Sequence, residues 1–67
     1  MEIIVNDSKK NVNDGTTLFH VVEHVVGEKQ KGIAVAVNET VIPKQQWNNH
    51  LLQPHDTILI IKATQGG

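Results

Sequence analysis

The chain contains no cysteine. That excludes a disulfide framework, a thiol nucleophile and any cysteine-ligated metal. A small domain that folds without such staples fits the cytoplasm, which is the expected location. Aromatic side chains are almost missing as well, with Phe19 and Trp47 the only Phe, Trp or Tyr residues. Six basic residues stand against seven acidic ones, for a formal net charge of −1. Nucleic-acid binding calls for a basic stripe and often for stacking rings, so no nucleic-acid partner is expected. Apolar runs are a few residues long, far short of the roughly 20 that cross a bilayer. The opening MEIIVND carries an acid at Glu2 and no basic n-region, so neither a membrane span nor a signal peptide is expected.

What is present suits one compact domain. The 67 residues are 39% hydrophobic and 19% charged, the balance of a globular chain rather than a disordered one. A chain this short buries only about 60% of the surface that its unfolded form exposes. MEIIVND reads as a strand with Ile3 and Val5 on one side and Ile4 on the other. Asn6 to Lys9 reads as a polar turn and KNVN as a returning strand with Val12 inward. Asp14-Gly15 is turn chemistry, and Thr16 or Thr17 can cap a helix. In TLFHVVEHVVG the residues Leu18, Val21, Val22 and Val25 recur at i, i+3, i+4 and i+7, an apolar stripe with His20, Glu23 and His24 opposite. Its valines are weak helix formers, so tertiary packing must hold it, and Gly27 is the expected stop.

GIAVAVN alternates, with Ile33, Val35 and Val37 on one face and Ala34 and Ala36 on the other. Asn38-Glu39 turns the chain into a short edge strand, TVIP, ended by Pro43. KQQWNNHLL is expected to be one irregular helical turn that places Trp47, Leu51 and Leu52 on the core, with Trp47 as an end plug rather than a contact residue. TILIIK is almost wholly apolar, which is what a central strand requires. A first strand, a crossover and a central last strand imply parallel pairing of the two terminal strands. A mixed five-stranded sheet packed on one helix buries every stripe at once. This is an α+β fold, the ubiquitin-like β-grasp, expected over residues 1–63.

The chain then runs out as KATQGG. Glycine buries no side chain and loses the most backbone entropy on ordering, so Gly66 and Gly67 do nothing for the fold. Residues 64–67 are expected to form a mobile diglycine tail. Four extended residues span at most about 13–14 Å, enough to enter another protein's catalytic pocket while the domain stays outside. The reactive group would be the carboxylate of Gly67, with Gly66, Gln65 and Thr64 threading the pocket. A carboxylate is a poor electrophile until attack on the α-phosphate of ATP turns it into an acyl-adenylate, from which AMP leaves readily. On this reading the chain is a substrate rather than an enzyme. It binds no cofactor, and the activating enzyme consumes the ATP.

The second half, AVNETVIPKQQWNNHLLQPHDTILIIKATQGG, resembles the ThiS family of sulfur carriers in thiamine biosynthesis. The matching features are Val37-Asn38, Ile42-Pro43, Trp47, the Asp56 turn and the apolar strand that runs into Gly66-Gly67. IIVND and DGTTLFHVVEHV fit the same pattern more loosely. The resemblance implies that an E1-like adenylyltransferase of the ThiF type adenylates Gly67 and that the end becomes a thiocarboxylate. The sulfur would come from a donor such as a cysteine desulfurase and pass to a thiazole synthase of the ThiG type. One departure is His55, where such proteins usually carry glycine. If that position needs a positive φ, histidine costs stability there. Rival readings are another β-grasp carrier, such as the small subunit of molybdopterin synthase, and a plain interaction domain without terminal chemistry.

Strand alternation also predicts a docking face. Ile58 and Ile60 should point to the helix and Leu59 and Ile61 away from it, with Ala34 and Ala36 leaving a shallow apolar patch beside them, and such patches mark interaction sites. His20-Val21-Val22-Glu23-His24 spells H-x-x-E-H, a zinc-peptidase pattern. Catalytic zinc takes three protein ligands and no third is placed here, so no metal site is assigned and the pair reads as a solvated helix face. His50 and His55 read as surface turn residues.

Overall fold

The computed structural model describes residues 1–27 and 31–62. The elements run β1 Glu2–Val5, β2 Ser8–Asn11, α1 Leu18–Val26, β3 Ile33–Val37, β4 Thr40–Val41, a 3-10 segment Lys44–Asn49 and β5 Thr57–Lys62. The five strands form one sheet in the order β2-β1-β5-β3-β4. β5 is central, parallel to β1 and antiparallel to β3, as its run of isoleucines demands. The sheet wraps one face around α1, and the core consists of Ile3, Val5, Leu18, Val21, Val22, Val35, Val37, Trp47, Leu52, Ile58 and Ile60. β1, β3 and β5 contribute alternate residues to it, whereas β2 and β4 are exposed along their length, so in the three inner strands the period-2 pattern of the sequence is also the inward–outward pattern of the fold. The tail expected at 64–67 lies outside the described residues.

α1 is held at both ends by specific bonds rather than by propensity. Thr17 is the N-cap, and its Oγ1 accepts from the His20 N–H at 3.4 Å. Residues 50–52 clamp the same end: the Leu18 N–H donates to the His50 carbonyl (2.8 Å) and the Leu52 N–H to the Thr16 carbonyl (3.0 Å). At the C-cap Gly27 has φ 65°, and its N–H donates to the Glu23 carbonyl at 2.7 Å. A side chain at that φ would be strained, which is why the helix stops on glycine.

Three expectations need correction. The first hairpin turns on Asn6-Asp7 alone, so the return strand is Ser8–Asn11 rather than KNVN. Both turn residues have positive φ (49° and 70°), as a two-residue hairpin of the I′ kind requires, and Asn and Asp tolerate that region without glycine. Val25, placed on the apolar stripe by its spacing, is 40% exposed, because the buried side of α1 runs through Leu18, Val22 and Val26 and leaves Val25 at its margin. Leu51, expected in the core, is 56% exposed while Leu52 is 3% exposed. The 3-10 segment ends at Asn49, and Leu51 forms a β-bridge with Thr17. Neighbouring residues in extended backbone face opposite ways.

The β3–β4 turn repeats the I′ pattern, with Asn38 at φ 50° and Glu39 at 72°. It is tied to the start of β5 through Asp56, the one charged residue that is buried among those described. Asp56 Oδ1 accepts from Asn38 Nδ2 and Oδ2 from the Gln53 N–H, both at 2.8 Å, while Asn38 Oδ1 accepts from the Thr57 N–H at 2.9 Å. These bonds satisfy a carboxylate that would otherwise be costly to bury. Immediately before it, His55 sits at φ 70°, so the position does need the left-handed backbone that is costly for histidine. His55→Gly is therefore expected to raise stability. The left-handed region costs a side chain about 1–2 kcal/mol, and the extra freedom of glycine in the unfolded chain returns about 0.4–1 kcal/mol. A net gain of up to about 1.6 kcal/mol should appear as a higher urea midpoint at unchanged slope. A lower midpoint would show that the imidazole makes a compensating contact.

Candidate docking site

The outer face of the sheet, away from α1, carries the site. Along β5, Ile58 and Ile60 are buried (1% and 8% exposed), whereas Leu59 and Ile61 are 48% and 51% exposed. Register then sets their neighbours. Ala36 lies opposite Leu59, and Ala34 opposite Ile61. Ala34 is exposed and Ala36 half-buried, and as methyl groups they leave the two large side chains standing proud. The four residues named from alternation are thus brought together as two cross-strand pairs.

The sequence reading missed two further participants. Val41 pairs with Ala36 across the β3–β4 hairpin and is 69% exposed, so Val41, Ala36 and Leu59 form a row across three strands. The patch covers about 10 Å across the strands and about 7 Å along them. A two-residue turn at Asn38-Glu39 fixes that register, so the signal was in the sequence once the turn type was known. The other is Asn6. β1 ends there while β5 continues, and Asn6 Oδ1 accepts the Ile60 N–H at 2.8 Å, standing in for the backbone carbonyl of a strand that has turned away. Beside Leu59 a shallow depression is flanked by the carboxylates of Asp7 and Glu39.

β5 leads to Lys62, opposite Ile33, and Gly67 follows five residues later in the sequence. Thr64, Gln65, Gly66 and Gly67 lie outside the described residues. The remaining candidates fall away from this face. His20 and His24 are exposed on α1, and among the described residues no group of three His, Cys, Asp or Glu is placed to hold a metal. Trp47 is 1% exposed and donates Nε1–H to the Ile42 carbonyl at 2.9 Å, a core plug rather than a contact residue. No helix among the described residues is long and apolar enough to cross a membrane.

The model of the ThiS family matches residues 1–67. This chain belongs to the ThiS family. Among curated proteins it is similar to the sulfur carrier protein ThiS of Escherichia coli (strain K12), with 33% identity over 67 residues that cover 100% of both chains. Among solved structures it is similar to the crystal structure of the thiamine biosynthesis protein ThiS from Geobacter metallireducens. The TM-score is 0.83, at 14% identity, over 100% of each chain. The solution structure of the thiamine biosynthesis protein from that organism gives a TM-score of 0.75 over 100% of this chain and 88% of that one. At such identity the structures speak for the fold alone, and they bear out the ubiquitin-like β-grasp. The ThiS assignment itself rests on the family model and on the end-to-end curated match.

Proposed function

We propose that this ThiS-family chain is a sulfur carrier of thiamine biosynthesis, a protein co-substrate rather than an enzyme. The observation that carries the reading is the family match, which runs unbroken from residue 1 through Gly67. The chemistry follows from the terminal carboxylate. In the active site of an E1-like enzyme of the ThiF type, a Gly67 oxygen attacks the α-phosphorus of ATP and pyrophosphate leaves. The terminal sulfur of a persulfide, delivered by a donor such as a cysteine desulfurase, attacks the carbonyl carbon of the acyl-adenylate, and AMP departs with the former carboxylate oxygen. A thiol then attacks the donor-side sulfur of the acyl disulfide, forming a disulfide and releasing the thiocarboxylate. The thiocarboxylate then hands its sulfur to a thiazole synthase of the ThiG type. Gly66, Gln65 and Thr64 are the stretch that a narrow active-site channel would have to admit.

The outer face supplies the recognition that such a short tail cannot. Leu59 and Ile61 on the strand that leads to the tail, with Ala34, Ala36 and Val41 on the two strands beside it, offer an apolar surface, so docking there positions the carboxylate for reaction. Asp7 and Glu39 beside it favour a partner with basic groups around an apolar centre. Leu59→Asp, and separately Ile61→Asp, should raise the KM for adenylation at least about tenfold, the loss typical of a central apolar contact. Both side chains are half exposed, so thermal midpoints should stay close to the native one. Pyrophosphate release under saturating ATP provides the readout. Native kinetics in both variants would remove this face from the proposal.

A further inference from the structure

A concavity lies on the other side of the sheet, between the edge strand β2 and α1. We propose that it takes an extended segment of a partner protein, paired as a sixth strand on β2 and presenting a small apolar side chain flanked by carboxylates.

Three observations lead there. Backbone pairing comes first. Met1 and Val12 exchange both bonds of a ladder pair: the Val12 N–H donates to the Met1 carbonyl at 2.9 Å, and the Met1 ammonium to the Val12 carbonyl at 2.7 Å. Antiparallel ladders alternate, so with Ile3 opposite Lys10 and Val5 opposite Ser8 the backbone groups of Lys9 and Asn11 face away from β1. β2 is the last strand of the sheet, and these groups form an open template for strand addition. The groove floor comes second. Val12 is half-buried and Val25 is 40% exposed, and both line the groove. A small apolar side chain of the added strand would cover both.

Charge decides the occupant. Lys10 shares the face of Ile3, which is buried beneath α1, so it projects over the groove, and His20 and His24 line the opposite wall. Among the described residues no carboxylate lines the groove, although the chain as a whole is slightly acidic. A second copy of this strand would bring lysine against lysine and is disfavoured for that reason. An acidic strand meets the lysine and can accept from both imidazoles. The groove is on the helix side of the sheet, so it would stay open while the outer face and the tail are engaged elsewhere.

The test uses the full chain and two short blocked peptides, one with a valine centre and aspartates at both ends, the other with lysines in place of the aspartates. Amide shifts on adding the acidic peptide should centre on Lys9, Asn11, Val21 and Val25, with slowed hydrogen exchange at Lys9 and Asn11 and no change at Leu59 or Ile61. The basic peptide should bind at least about tenfold more weakly, and Lys10→Glu should reverse that order. Lys9→Pro removes one outward donor without breaking a bond to β1 and should weaken the acidic peptide about tenfold. If that variant fails to fold, the exposed Lys10→Glu carries the test alone. Equal binding of the two peptides, shifts centred on Leu59 and Ile61, or concentration-dependent shifts at Lys9 and Asn11 without peptide would each overturn the proposal.

Discussion

Adding one residue after Gly67 is expected to abolish sulfur loading while leaving the fold untouched. The extension turns the Gly67 carboxylate into an amide, whose oxygen is a far weaker nucleophile toward phosphorus. It also moves the nearest carboxylate about 3.5 Å further along the chain. Misplacement of a reacting atom by even 1 Å can cost about a hundredfold in rate, so the new carboxylate should not substitute for the old one. In the presence of ATP, the activating enzyme and a sulfur donor, the native chain should gain the mass of one oxygen-to-sulfur exchange, located on Gly67. The lengthened chain should gain nothing and release less than about a hundredth of the pyrophosphate. Its melting temperature should be native, because among the described residues every core side chain lies at or before Ile60. An equal mass gain in a lengthened chain shown to have kept its extra residue would refute the carrier reading. The rival of a plain interaction domain predicts no mass gain in either chain.

Much of this architecture could be read from residue order because the decisive elements are strands with one wet face. TILIIK could only be central, and its alternation placed Leu59 and Ile61 outside before any pairing was known. Ala34 and Ala36 followed from IAVAV by the same rule. His55 was legible for a different reason: the family resemblance led to the expectation of glycine at this turn, and the φ of 70° is a backbone angle that favours glycine. The failures share a cause too. Val25 and Leu51 were assigned by extending a local pattern one step too far. The buried side of α1 runs through Leu18, Val22 and Val26 and leaves Val25 at its margin, and helical backbone ends at Asn49, after which Leu51 and Leu52 alternate. Val41 and Asn6 were missed because their roles depend on register across a turn, and register is set by positive-φ residues that here are Asn, Asp and Glu rather than glycine. The tail chemistry is legible only in sequence, since 64–67 fall outside the described residues.

Trp47→Ala should be the most damaging single substitution in the folded domain. The indole is 1% exposed, first by volume among the fully buried side chains, and belongs to the same cluster as Leu18 and Val22 of α1. Its Nε1–H also donates to the Ile42 carbonyl at 2.9 Å, which ties the end of the β3–β4 hairpin to the segment leading into β5. Truncation empties the space and leaves that carbonyl without its partner. Large-to-alanine changes of aromatic core residues cost about 3–5 kcal/mol. At about 0.05–0.15 kcal/mol per residue, a chain of this length holds only about 3–10 kcal/mol in all. The variant should therefore be unfolded or nearly so at 37 °C, as read by circular dichroism, since removal of the sole tryptophan also removes the fluorescence signal. Trp47→Phe keeps much of the packing and loses chiefly the hydrogen bond, worth about 0.5–1.5 kcal/mol, and should remain folded with a lower urea midpoint. Because the outer face lies across the sheet from this plug, Trp47→Phe should accept sulfur at the native rate wherever it is folded. A phenylalanine variant with native stability but impaired loading would reassign Trp47 from the core to the docking surface.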